Sequence, residues 1–161
     1  MAETIKRLLD LYGDHSKAII WMHNGHAGDA NYSQMAEEGN TSVGEILKKQ
    51  MGAQQVFSIG FGTNKGWILA GYYWNAPLIR IEVPAARTGS WENILHELGP
   101  GNKIILSREL KNNKAMNQWI AIRSIGAANN TIYGTTIIPK RFDAFVYIDS
   151  TSAVRPVKDS P

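Results

Sequence analysis

The sequence predicts an α/β protein, a layered sandwich with helices around a mostly parallel or mixed β-sheet, and three observations predict it. Short continuous apolar runs such as Ala18-Ile19-Ile20-Trp21-Met22 are of the kind that central parallel strands bury on both faces. Stretches with helical spacing alternate with these runs along the chain, the order a layered α/β fold needs. The chain has 161 residues, 43% of them hydrophobic and 19% charged, enough for one compact core but short for two.

The elements follow in order. Ile5, Leu8, Leu9 and Tyr12 recur at helical spacing within residues 1–14, and Gly13 stands where a helix C-cap would be. Residues 18–22 read as a buried strand. A long polar loop, 23–40, comes next, and loops of that length tend to be functional or disordered. Ser42 and Glu45 have the spacing of a capping box, predicting a helix over 43–51 that stops at Gly52. Strands are predicted over 56–61 and 67–73, joined as a hairpin by the short Gly62 to Gly66 segment. Another strand is expected over 78–83. Ser90 then caps a helix over 91–98, closed by Gly99-Pro100. Residues 103–106 read as a strand, 109–123 fit helix or strand, and 145–148 form the last strand. One domain over 1–156 is expected, with 157–161 a polar tail.

Composition excludes several functions. Seventeen basic and fourteen acidic residues leave a net charge of +3. The basic residues are scattered and form no stripe with interleaved aromatics, so no nucleic-acid partner is expected. The absence of cysteine removes disulfides, thiolate metal ligands and a Cys nucleophile together. It also fits a reducing compartment, and a cytoplasmic location is the expectation. No apolar run approaches the roughly 18 residues of a membrane span. The first residues read as an amphipathic helix rather than a signal peptide. The three Asn-x-Ser/Thr sequons therefore carry no weight.

The most informative stretch is His23-Asn24-Gly25-His26, at the carboxyl end of the first predicted strand, where open α/β sheets bind ligands. Two imidazoles three residues apart can serve as general acid and base near neutral pH. Asn24 offers an amide to orient a histidine or stabilise an oxyanion, and Gly25 allows backbone that could turn both rings to one cleft. The plain alternative is a pair of solvated loop histidines. His-x-x-His could also bind zinc, with Asp29, Glu45, His15 or His96 as a third ligand, but no His-Glu-x-x-His helix is present. No metal or cofactor is expected.

Other features have plainer readings beside functional ones. The glycines from Gly60 to Gly66 lack phosphate-loop spacing and precede a strand, not a helix. There is no Gly-x-Ser-x-Gly elbow. Trp67, Tyr72, Tyr73 and Trp74 read as core or sheet packing, or else as the wall of an apolar substrate cleft. Arg80 and Glu82 share a strand face, as an ion pair or solvated pair, or else to bind a substrate carboxylate together with Arg87. Asp149, at the C-terminal end of the last strand, is a candidate for substrate binding or orientation by position, against simple turn chemistry.

The run from Ala18 to His26 resembles the apolar strand ending in Trp-Ala-His-Asn-x-His that typifies the erythromycin esterase family. Three later features resemble that family in the same order: Ser42-Val43-Gly44 opening a helix, Ser58-Ile59-Gly60-Phe61 before a Gly-rich segment, and Phe142-Asp143-Ala144 followed by the stretch from Ile148 to Pro156. The resemblance implies an α/β fold and metal-independent hydrolysis of an ester or macrolide lactone, in which a histidine activates water. It gives His23 and His26 the catalytic loop role, His23 as the more direct participant. Met22 and Gly25 depart from the usual residues, so loop shape can differ. The family's other signature, Gly-Glu-x-x-His-Gly in an N-terminal half, is not in this sequence. The site is therefore expected to be incomplete in this chain, with exposed apolar edges that favour a homo-oligomer or association with that N-terminal segment.

Overall fold

The computed structural model describes residues 1–73, 75–110, 112–126 and 132–155. The Trp74, Lys111 and 127–131 positions, and the tail from 156 on, lie outside the described residues. Helix α1, Ala2–Tyr12, stops at Gly13, whose φ of 90° suits glycine. Short α2, Asn24–Ala27, and two 3-10 turns occupy the long loop. Helix α3, Val43–Met51, begins as its capping box predicts: Ser42 Oγ accepts from the Glu45 N–H at 3.1 Å. The Glu45 carboxylate is held below its ordinary range first by the Lys49 ammonium, then by Asn31 and the Ser42 backbone.

Two predicted strands prove to be one. Strand β1 runs unbroken over Ile59–Ala70. Its first half pairs parallel with β6, Ala144–Thr151, and its last residues pair antiparallel with β2, Ile79–Val83. The segment from Gly62 to Gly66 is no turn. Gly60 and Gly62 stand where a Cβ would press on Phe142 and Phe145 at 2.8 Å, and Gly66, at φ 129°, lies where one would meet Thr151 O at 2.2 Å. The glycines serve close packing rather than a hairpin.

Strand β3, Lys103–Leu106, pairs antiparallel with β6, completing a four-stranded mixed sheet in the order β2-β1-β6-β3. Between β2 and β3 in sequence, α4, Trp91–Glu97, starts at the predicted Ser90 cap. Helix α5, Ser107–Leu110, follows β3. The ambiguous stretch resolves as β4, Ile120–Arg123, which forms a separate ribbon with β5, Tyr133–Thr136. Helix α6, Ile138–Arg141, leads into β6.

Alternation along β6 divides the sheet into two unlike faces. Phe145 and Tyr147 point to α4 and join Trp91, Leu95, Ile122, Ile138 and Phe142 in the main core. Val146 and Ile148 point the other way, onto the same face as Ile59, Phe61 and Ile104, which are exposed. A second small cluster, Ala2, Ile5 and Leu47, joins α1 to α3 beside that open face.

The predicted first strand is corrected. Residues 18–22 belong to no strand, and Ile19 and Trp21 are 100% and 87% exposed. Trp21 lies against Phe61 with ring centroids 5.7 Å apart, at the edge of β1 that β6 does not occupy. Among the described residues, 17–22 make no backbone hydrogen bond. An apolar run supplies strand propensity, but a strand exists only when a neighbour satisfies its ladder.

Candidate active site

His23 is the N-cap of α2. Its Nδ1 accepts the Gly25 N–H at 3.1 Å, and its Nε2 lies 2.9 Å from Ile125 O. An Nδ1 that accepts is unprotonated, so Nε2 carries the hydrogen and donates to the Ile125 carbonyl. The ring is thereby held in one orientation while remaining solvent-exposed. Gly25 fits the same arrangement, since a Cβ there would approach His23 Nδ1 to 3.2 Å.

Asn24 secures the loop to the sheet. Its Nδ2 donates to Phe61 O at 2.6 Å, and its Oδ1 accepts from Phe61 N at 3.0 Å, so the side chain occupies one rung on the free edge of β1. It orients the histidine loop through this anchorage. His26 follows one helical turn after His23, with its side chain exposed. His23 and Asn24 line a mainly apolar cavity of about 870 Å³, together with residues 18–22 and the open face of β1; His26 does not line it.

Behind α2 sits a cation that sequence reasoning missed. Arg141, buried on α6, donates from Nη2 to Asn24 O at 3.3 Å. Burial draws its pKa down to about 10 against the opposing pull of Asp29, and its Nε has no partner among the described residues. Two glycines permit this packing: a Cβ on Gly28 would fall within 2.8 Å of Arg141, and one on Gly44 within 2.0 Å of Ala27 O.

A second missed group lies under the other side. Glu92, 1% exposed, accepts the Arg123 N–H at 2.9 Å through Oε1, while Oε2 is buried with no hydrogen-bond partner among the described residues. Burial pushes its carboxyl above the ordinary range. The Arg123 guanidinium bonds to Pro84 O and to Tyr133 Oη, and lines the same cavity as His23. Arg123 is two residues before Ile125, the acceptor for His23, so Glu92 and Arg123 brace the strand end that holds the ring. An isolated Glu at the start of a capped helix carries no such signal in sequence.

Asp149 is brought to His96 and not to the cavity that His23 lines. Alternation sets it on the α4 face with Tyr147, where Tyr147 Oη donates to Oδ1 at 2.6 Å and His96 Nδ1 lies 2.7 Å away. These two contacts hold its pKa down. Asp143 is held by a different set of partners. Its Oδ2 accepts from Lys48 Nζ, Ser58 N and Ser58 Oγ at 2.7 to 2.9 Å.

Tyr72 and Tyr73 are exposed and stay outside the cavity, as does Trp67, which packs on the sheet within β1. The Arg80 guanidinium stacks 4.2 Å over Trp67, and Arg87 stacks 4.6 Å over Tyr133. Among the described residues no three His, Asp or Glu side chains converge as metal ligands. No helix among them is long and apolar enough to cross a membrane.

Known proteins share the sequence pattern and the fold. The family described as erythromycin esterase matches residues 1–151. Similar solved structures include a succinoglycan biosynthesis protein, with a TM-score of 0.67 and 21% identity over 84% of this chain and 33% of that one. A Bacillus cereus protein has a TM-score of 0.66 and 20% identity over 83% of this chain and 33% of its own. A mutant of the erythromycin esterase EreC, in its open conformation, has a TM-score of 0.66 and 16% identity, over 99% of this chain and 38% of EreC. The chain thus spans roughly a third of the length of the solved proteins it matches, and at these identities the likeness is one of fold.

Proposed function

Since the chain belongs to the erythromycin esterase family, we propose that it supplies the histidine loop of a hydrolase that cleaves an ester or macrolide lactone by water attack. The observation that carries this reading is the His23 ring, oriented through both nitrogens at the mouth of an apolar cavity. Ester hydrolysis needs a donor for the charge that develops on the carbonyl or leaving oxygen, and an acceptor for the water proton. The Nε2–H of His23 now donates to a carbonyl, and a substrate oxygen that displaced Ile125 O would meet the same donor. His26, exposed one turn away, is the acceptor in this scheme. Asn24 and Arg141 act as positioning residues, one on the sheet side of the loop and one behind it.

The test is turnover of a macrolide lactone and of an aryl ester, by this chain alone and in mixture with the remaining portion of an erythromycin esterase-fold protein. His23→Ala is expected to lose about 10²- to 10⁴-fold in kcat/KM, the usual worth of a positioned acid or base. His26→Ala should lose a comparable factor. Turnover that survives both substitutions, or no turnover in any mixture, defeats the assignment.

A further inference from the structure

We propose that the cavity lined by His23 is a binding site for an amphiphilic carboxylate, with the Arg123 guanidinium holding the carboxylate and the apolar walls holding the hydrocarbon. The proposal concerns what the cavity binds and goes beyond the hydrolytic reading. Joined to that reading, which it does not need, the ligand is the acid that water attack on an ester releases.

Three observations carry it. The first is size and character. A volume of about 870 Å³ falls within the roughly 300–1,000 Å³ of small-molecule sites, and Leu47, Val56, Ile59, Phe61, Ile68 and Ile148 make the walls largely apolar. The second is the sign of the ionisable groups. Lys17, His23 and Arg123 line the cavity, and among the described residues no carboxylate does. An apolar ligand with an anionic head meets attraction there, whereas a cationic head meets only like charge. The third is the state of Arg123. It is 5% exposed, yet its guanidinium bonds only neutral acceptors, Pro84 O at 2.7 Å and Tyr133 Oη at 2.8 to 3.0 Å. These bonds leave an N–H on each Nη without an acceptor among the described residues. The Glu92 carboxyl bonds the Arg123 backbone N–H rather than the guanidinium, and burial favours its neutral form. A buried cation is destabilising until an anion pairs with it, and the guanidinium fork matches the two oxygens of a carboxylate. Lys17, by contrast, is exposed and keeps its hydration, so the head group is assigned to Arg123. Ile125, two residues on, lines the cavity and accepts from His23, which puts the head group at the histidine end.

The experiment titrates the full chain calorimetrically with decanoate, decanol and decyltrimethylammonium, below micelle-forming concentrations. The expected result is one-to-one binding of decanoate, about tenfold or more tighter than decanol, the worth of a hydrogen bond to a charged group. The cation should show no saturable binding. Octanoate should bind about tenfold more weakly than decanoate, the hydrophobic worth of two methylenes. The Arg123 side-chain N–H resonances should shift with decanoate and not with decanol. Arg123→Gln should bind decanoate no tighter than decanol, while binding decanol as the parent does. Lys17→Gln should lose about threefold at most, as exposed charges do. Should Arg123→Gln fail to fold, the side-chain resonances of the parent decide alone. The proposal is overturned by equal affinity for the three head groups, by a decanoate preference that survives Arg123→Gln or vanishes in Lys17→Gln, by unmoved Arg123 resonances in the decanoate complex, or by no saturable binding of decanoate. The readouts are binding and resonance shifts, so absent ester turnover would defeat the hydrolytic reading and leave this proposal standing, and absent decanoate binding would do the reverse.

Discussion

Glu92 and Arg141 show what single residues carry that their neighbours in sequence do not announce. Both are buried charges with an atom that has no hydrogen-bond partner among the described residues, and both back the loop or strand end that orients His23. The sign of the Glu92 effect follows from its direction of shift. Its folded pKa is raised above the ordinary 4.5, so its contribution is fully present below that value and is lost as pH rises through the folded value. Glu92→Gln keeps the acceptor for Arg123 and removes the buried charge. It should be more stable than the parent at pH 7 to 8 by about 1 kcal/mol, the scale of an unsatisfied buried group, and should lose that advantage near pH 4. Urea unfolding at both pH values checks this, and a variant weaker at every pH would mean that attraction to Arg123 outweighs desolvation. The histidine loop was legible because a polar His-Asn-Gly-His run after an apolar pentad is unusual in itself. Glu92 and Arg141 were not, because burial comes from partners distant in sequence: β1 and β4 for one, α2 for the other.

Elements with local signals were legible, and elements defined by distant pairing were not. The Ser42 and Ser90 caps and Gly13 mark helix ends through bonds made within a few residues, and all three stand where expected. Strand β1 was read as two because glycines usually punctuate, whereas here they admit Phe142, Phe145 and Thr151. Residues 18–22 were read as a strand from side chains alone, and their pairing needs a neighbour absent from the described residues. The α2–α3 contact offers a test of how strictly glycine sets an interface. Alanine at position 44 gains about 1 kcal/mol of helix propensity over glycine. Yet its Cβ would sit 2.0 Å from Ala27 O, a backbone atom that cannot rotate away. Gly44→Ala should therefore lose about 1–3 kcal/mol net, as overpacked cores do. It should also shift the His23 and His26 resonances, since α2 must move. A gain in stability with unmoved resonances would show that the two helices are not in firm contact.

At the scale of the whole molecule, the sheet is closed on one face and bare on the other, and few links tie the two sides together. Asp143 is the busiest of them. It leads into β6 and fixes the approach to β1 through Ser58. Its side chain binds Lys48 on α3, and its carbonyl accepts from Ser107 on α5. Burial acts to raise its pKa, but the Lys48 and Ser58 bonds outweigh burial and hold it below the ordinary Asp value of 3.8. A lowered folded pKa means stability that is present above 3.8 and lost as pH falls through the folded value. Asp143→Asn removes that charge while keeping the shape. At pH 7 it should cost about 1–3 kcal/mol, the range for losing charge-assisted bonds at a partly buried acceptor. Well below the ordinary Asp value the parent carboxyl is itself protonated, and the two proteins should unfold at nearly the same urea concentration. The same comparison probes the bare face, because loosening α3 from β1 and β6 widens the groove between them. Hydrogen exchange in α3 should rise in the variant at pH 7, while exchange in α4, which packs on the opposite face, stays unchanged. If α4 loosened equally, the two faces would form one cooperative unit, and the open side would owe its shape to the main core rather than to this link.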